Sequence, residues 1–382
     1  MRSGKRKTPR VAQTSLAKRG KPATQAAKPA SASAEYVLET IPGMESVAAV
    51  EIREHLFTPP RKDEPGVHRL HYAGKPERLL ALRATSAVFR TRLHPVARPM
   101  GLLGHQYFTA IVADMKLALS LHPAGAFETL RLAAAGRDTA VMARLAGELA
   151  KAVGLAVDTS GDDEKTLLVR LRPQQKKVEK PARRISRDET PPPDEYVTLW
   201  ESLVSLTPRP LSTRAWRVAN YPGAVNACAG YAMARLAGPA ERFINLCAGS
   251  GTILIERQQS FPCKEALGCD TSVKARDAAA ANGVVLEDWD ATKVLLEDGW
   301  ADVVVSDLPF GQRIGTHADN VKLYPALLAE AARLTHRAGR AVFLTHEIKL
   351  FEQTLDKRWE VERVLTLTLG GMHPRLYVLV RQ

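Results

Sequence analysis

The sequence predicts an α/β protein. An open, mostly parallel sheet occupies the C-terminal half, and a smaller α+β region precedes it. Three observations carry this reading. Phe243 and Leu246 around Ile244 read as a buried strand that turns through Ala248, Gly249, Ser250 and Gly251 into a helix bearing Ile253, Leu254 and Ile255. Val303, Val304 and Val305 are an apolar run suited to a fully buried parallel strand, and it closes on Asp307, Leu308, Pro309, Phe310 and Gly311. Before residue 173, short strand-like and helix-like units follow one another.

Composition bounds the rest. A chain of 382 residues, 45% hydrophobic, is long enough for two or three domains with real cores. No uninterrupted apolar run is long enough to span a bilayer. The net charge of +13 favours a polyanionic partner, most simply nucleic acid, although a solvated basic surface would give the same number. Cys228, Cys247, Cys263 and Cys269 show no Cys-x-x-Cys spacing, which fits a reducing cytoplasm and predicts neither zinc nor a disulfide framework.

Residues 1–34 carry Arg and Lys without a single acid and little to bury, so they read as a disordered basic tail suited to attracting RNA. A transit peptide shares that composition, but no amphipathic period supports one. Residues 35–98 follow as a small α+β unit. Tyr36 to Thr40 reads as a strand, Pro42-Gly43 as a turn and Met44 to Leu56 as a helix; Leu70 and Tyr72 suggest a strand, and Leu79 to Val88 a helix. In residues 99–172, Phe127 to Leu132 and Thr166 to Leu171 read as strands. Asp138 caps a helix from Thr139 to Ala152. Residues 173–195, with six basic residues and three consecutive prolines, read as an extended, mobile linker.

The half from 196 to 382 contains the chemistry. A helix runs from about Ala224 to Leu236. After the Gly249–Gly251 turn, Ala266 to Asp270 is a second strand ending in an acid, placed to accept hydrogen bonds from ribose hydroxyls. Lys274 to Asn282 is a helix and Val284 to Leu286 a third strand. Three closing strands cover Arg340 to Thr345, Val361 to Leu369 and Leu376 to Val380, with Gly370-Gly371 as the turn between the last two.

The sequence resembles the class I methyltransferases that use S-adenosylmethionine on exocyclic amines. Gly249-Ser250-Gly251-Thr252 is similar to their Gly-Ser-Gly-Thr loop, and Asp307-Leu308-Pro309-Phe310 to their Asp/Asn-Pro-Pro-Tyr/Phe signature. The Leu308 form, followed by Gly311 and Arg313, looks most like the THUMP-containing RNA guanine-N2 methyltransferases. Ile41 to Glu45 is similar to the opening of the ferredoxin-like domain that precedes THUMP there, and residues 99–172 to THUMP itself in pattern and order.

That resemblance implies a Rossmann-like methyltransferase domain with a ferredoxin-like plus THUMP-like RNA-binding region. It implies S-adenosyl-L-methionine as cofactor, held by Asn245, Ala248, Gly249, Ser250, Gly251, Thr252, Asp270, Asp290, Ala291 and Asp307. For the adenine contact, Asp288 is a weaker match than Asp290. Asp307 would accept from the amine with the carbonyl of Leu308 or Pro309, and Phe310 would stack on a flipped base. Arg214, Arg217 and Arg313 would touch RNA.

The family usually has Asp-Pro where this chain has Asn245-Leu246, and Leu308 argues against a generic DNA adenine methyltransferase. The expected substrate is a guanine N2 in tRNA, and the expected protein a cytoplasmic monomer or weak dimer. Adenine, or guanine in ribosomal RNA, stays open, as does an RNA-binding protein with a decayed methyltransferase domain.

Overall fold

A computed structural model describes residues 33–158, 161, 164–177, 196–311 and 315–382. The basic tail up to residue 32, most of the expected linker and Arg313 lie outside the described residues.

The N-terminal elements are β1 (Ala34–Thr40), α1 (Glu45–Leu56), β2 (Arg61–Lys62), β3 (Val67–Tyr72), α2 (Glu77–Leu80), β4 (Thr85–His94), α3 (His105–Ser120), β5 (Thr129–Ala134), α4 (Ala140–Val153), β6 (Ala156–Val157), β7 (Thr166–Lys177) and β8 (Tyr196–Ser205). They build one eight-stranded sheet in the order β2-β3-β1-β4-β8-β7-β5-β6. Leu38, Val88, Leu130, Val169 and Val204 alternate inward from the strands and meet Ile111, Met115, Leu145 and Leu149 of α3 and α4.

Four expectations change here. The helix expected over 79–88 is a single turn, and Thr85 begins a strand. The amides of Arg83 and Ala84 donate to the Glu51 carboxylate at 2.8 Å each, so they leave no helical ladder to continue. The cap of α4 is Thr139, whose hydroxyl accepts from the Met142 amide at 3.4 Å, while Asp138 pairs with Arg137 outside the helix. Residues 173–177 are strand and not linker, and Tyr196–Ser205 pairs with β7 and β4 in this sheet and not with the C-terminal sheet expected to hold residues 196–382. Trp200 and Val204 bury one face of β8. On its other face Glu201, fully buried, binds Arg172 of the neighbouring β7 and Arg69 of β3, three strands away on the opposite side.

The second sheet is built from α5 (Ala227–Leu236), β9 (Arg242–Asn245), α6 (Thr252–Ser260), β10 (Glu265–Gly268), α7 (Val273–Ala281), β11 (Ala301–Asp307), α8 (His317–Leu334), β12 (Thr335–Thr345), α9 (Ile348–Thr354), β13 (Trp359–Thr366) and β14 (Arg375–Arg381). Its six strands run β10-β9-β11-β12-β14-β13. The first four are parallel, and β14 returns antiparallel between β12 and β13. The strand expected at Val284 to Leu286 reduces to one bridge between Glu287 and Cys269, with Val285 84% exposed.

The two halves share a core. Ile41, Met44, Val47 and Ala48 pack with Tyr231, Phe243 and Leu367 of the second sheet and its helices. The fully buried Glu256 of α6 accepts from Arg83 at 2.7 Å and from Arg214 at 2.9 Å, so one carboxylate ties both halves.

Candidate active site

β9 and β11 are neighbours, while β10 lies on the far side of β9. The chain order therefore reverses between β9 and β11, and a ligand crevice belongs outside their carboxyl ends. A cavity of about 560 Å³ lies there.

The turn after β9 makes its first wall. Cys247 has φ 48 and Gly249 φ 55, so the backbone doubles back before α6 begins at Thr252. A Cβ on Gly249 would meet nothing nearer than Tyr221, at 3.9 Å, and both residues line the cavity. A side chain there would fill ligand space.

Gly251 is different. It is not on the wall, and a Cβ there would lie 2.4 Å from Val284. It is glycine because the loop sits on the core. Asn245 also lies off the wall. It is fully buried, with Nδ2 donating to the carbonyls of Leu246 and Val305. Its missing charge therefore removes no direct contact at the cavity.

Ala248, Ser250, Thr252, Asp270, Asp290 and Ala291 all line the cavity. Asp270 accepts from the Gly249 amide and the Ser272 amide, each at 2.9 Å, which fixes both its oxygens while each keeps a free lone pair. Asp290 accepts from the Thr292 amide and hydroxyl through one oxygen, and these bonds hold its carboxyl below the ordinary range. Asp288 instead pairs with Arg276 at 2.7 Å.

At the end of β11, Asp307, Leu308, Pro309 and Phe310 line the same cavity. The Asp307 Oδ1 is buried without a hydrogen-bond partner, and burial pushes this carboxyl up to about 8. Leu308 is buried and its amide donates to Leu344. The Pro309 carbonyl accepts from Asn320 at 2.9 Å and from the Tyr324 hydroxyl at 2.8 Å. It is thus committed to α8, and the Leu308 carbonyl is the remaining backbone candidate. Phe310 packs against His346, with ring centres 6.0 Å apart.

The arginines divide. Arg214 has a side chain only 9% exposed and is spent on Glu256 and the carbonyls of Leu211 and Arg83. It is a clamp between the halves, not a phosphate contact. Arg217 donates to the Val225 carbonyl at 2.9 Å and the Thr252 hydroxyl at 2.7 Å, which pins the loop carrying Tyr221 to the start of α6.

Sequence reasoning missed Tyr221, Trp289, Leu323 and the tip formed by Leu369, Gly370 and Met372, all on the cavity wall. None belongs to a motif with its own chemistry. Gly370-Gly371 was the one visible signal, read as a turn and not as a wall.

A mostly parallel, Rossmann-like sheet with a glycine turn, two acids and an Asp-Leu-Pro-Phe turn along its carboxyl edge is similar in fold to class I methyltransferase domains. Residues 268–373 match the UPF0020 family, described as RMKL-like, methyltransferase domain. The human tRNA (guanine(6)-N(2))-methyltransferase THUMP3 is 39% identical over 97 residues, 24% of this chain and 19% of that one. The tRNA (guanine(6)-N2)-methyltransferase of Methanocaldococcus jannaschii is 26% identical over 217 residues, 44% of this chain and 57% of that one. The chain thus spans between 19% and 57% of the length of these curated relatives.

Among solved structures, TrmN from Thermus thermophilus is similar in fold, with a TM-score of 0.63 at 22% identity over 91% of this chain and 99% of that one. SMU.472, complexed with SAH, aligns with a TM-score of 0.61 at 15% identity over 92% of this chain and 98% of that one. Among the described residues no helix is long and apolar enough to cross a membrane.

Proposed function

We propose that this chain is an S-adenosylmethionine-dependent methyltransferase that acts on the N2 amine of a guanine in tRNA. One observation carries it: Asp307, whose Oδ1 is buried without a hydrogen-bond partner, lines the same cavity as the Gly249–Asp270 cradle. The names of the relatives supply the substrate class. The space at Gly249, the free lone pairs of Asp270 and Asp290 and the cavity volume fit an adenosyl ligand with room for a base. When bound, the cofactor supplies an electrophilic methyl group on a cationic sulfur.

The protein's own work is alignment and proton handling. An aromatic amine is a poor nucleophile because its lone pair is delocalised into the ring. Asp307 accepts an N–H of that amine, returns electron density to nitrogen and aims the lone pair in line. An amine that has received the methyl group would carry one proton too many. Asp307 takes it, which its raised affinity for a proton favours. Phe310, backed by His346, offers a face on which the base stacks. Tyr324 and Asn320 hold the Pro309 carbonyl and so keep this turn in place.

The N-terminal sheet is read as the RNA grip, THUMP-like in its 99–172 part, of a monomeric or weakly dimeric cytoplasmic enzyme. The net charge of +13 supports that role. Mass spectrometry of nucleosides from tRNA and ribosomal RNA, with and without the gene, tests the reading. Loss of N2-methylguanosine from tRNA is expected. Unchanged tRNA with loss from ribosomal RNA, or loss of N6-methyladenosine, would refute it.

A further inference from the structure

Asp270 follows β10 at one end of the second sheet, Asp307 closes β11 near its middle, and the β13–β14 tip lies at the other end. The wall made by Leu369, Gly370 and Met372 therefore stands past Asp307 from the cofactor cradle, on the side of the methyl acceptor. Gly370 and Gly371 have φ 55 and 79 and form a two-residue turn closed by Leu369 and Met372, whose amides donate to each other's carbonyls. It is anchored from outside its own hairpin: the Thr368 amide donates to the Pro42 carbonyl at 3.0 Å.

The anchoring turn is itself tightly built. Gly43 has φ +97, and a Cβ there would lie 2.0 Å from the Thr366 carbonyl oxygen. The Glu45 carboxylate accepts from the Gly43 amide at 3.1 Å and from the Gly66 amide at 2.7 Å. Ile41 and Met44 are buried with Leu367, just after β13, and Leu376 of β14, on the two sides of the tip.

We propose that the Ile41–Met44 turn of the N-terminal region is a positioning element of the methyl-acceptor site, setting where Leu369, Gly370 and Met372 stand against the base. This rests on the base-methylating reading above. The N-terminal region then contributes to catalysis as well as to RNA affinity. A wall displaced by about 1 Å misaligns the amine and costs on the order of a hundredfold in rate without weakening either ligand.

The test uses the full chain, with single-turnover methyl transfer to tRNA, filter binding of tRNA and calorimetry with S-adenosylhomocysteine. Glu45→Ala and Gly43→Ala are expected to keep both affinities and lose about ten- to hundredfold in transfer rate. Glu45→Gln, which keeps one acceptor oxygen, should recover part of the loss. Gly43→Ala combined with Met372→Ala should fall no further than the worse single variant, because both act through the same wall. If Gly43→Ala does not fold, the Glu45 pair decides. A folded Glu45→Ala protein with the wild-type rate, or losses that multiply in the double variant, overturns the proposal alone. A wild-type chain that methylates no tRNA overturns the underlying reading, and the proposal with it.

Discussion

The Asp307 carboxyl gives the sharpest prediction. With burial holding it up to about 8, this group is about nine-tenths protonated at pH 7 in the free protein. A cationic sulfonium within about 4–6 Å lowers a carboxyl by roughly 1–3 pH units. Asp307 should therefore release roughly 0.4 to 0.9 of a proton when S-adenosylmethionine binds at pH 7. S-adenosylhomocysteine has no charge on sulfur and should release almost none. Calorimetry in buffers of different ionisation enthalpy counts these protons directly.

The affinity for the methyl donor should rise as the pH goes from about 6 to about 8 and then level off, while that for the product stays flat. The stability sign is also defined. An acid whose value is raised by folding binds its proton more tightly in the native state, so its contribution is lost as pH rises from about 4 through 8. Asp307→Asn should be more stable than the wild type above pH 8 by up to about 6 kcal/mol, with the difference vanishing near pH 4. Equal proton release for both ligands, or release that survives in Asp307→Asn, would refute this reasoning.

Other consequences are equally open to measurement. Glu256→Ala leaves Arg83 and Arg214 facing each other at the junction of the halves and should cost about 3–5 kcal/mol in denaturant unfolding; a loss under 1 kcal/mol would mean the clamp is dispensable. Glu201 is buried, which alone would raise it, yet Arg69, Arg172 and Thr91 hold its carboxyl down to about 2. That stability is present above the ordinary value and is lost as pH falls from about 4.5 through 2, so acid unfolding should shift to higher pH in Arg172→Ala. Phe310→Ala should weaken productive base placement by about 1–3 kcal/mol while Phe310→Tyr keeps most activity, read by single-turnover methyl transfer. Asp307→Asn should retain partial activity if Asp307 acts chiefly as an acceptor; full activity in both Asp307→Ala and Phe310→Ala would place the chemistry elsewhere.

Local pattern was enough to locate the strand before Gly249, the triple-valine strand before Asp307 and the acid at 270, because period, glycine and chain order are all local properties. The same was true of the closing hairpin and the Pro42-Gly43 turn. Other features depend on partners far away in sequence. The strand at Thr85–His94 replaces an expected helix because Glu51 takes the amides of Arg83 and Ala84. Tyr196–Ser205 joins the first sheet because β4 and β7 offer it edges on both sides. Arg214 looks like any basic surface residue until Glu256 and Arg83 close around it. Gly249 and Gly251 look alike in sequence, yet one borders ligand space and the other rests on Val284. Residue type and spacing announced which groups could do chemistry. Only packing decided which face the cavity and which are spent holding the two halves together, since that depends on contacts between residues from tens to more than a hundred positions apart.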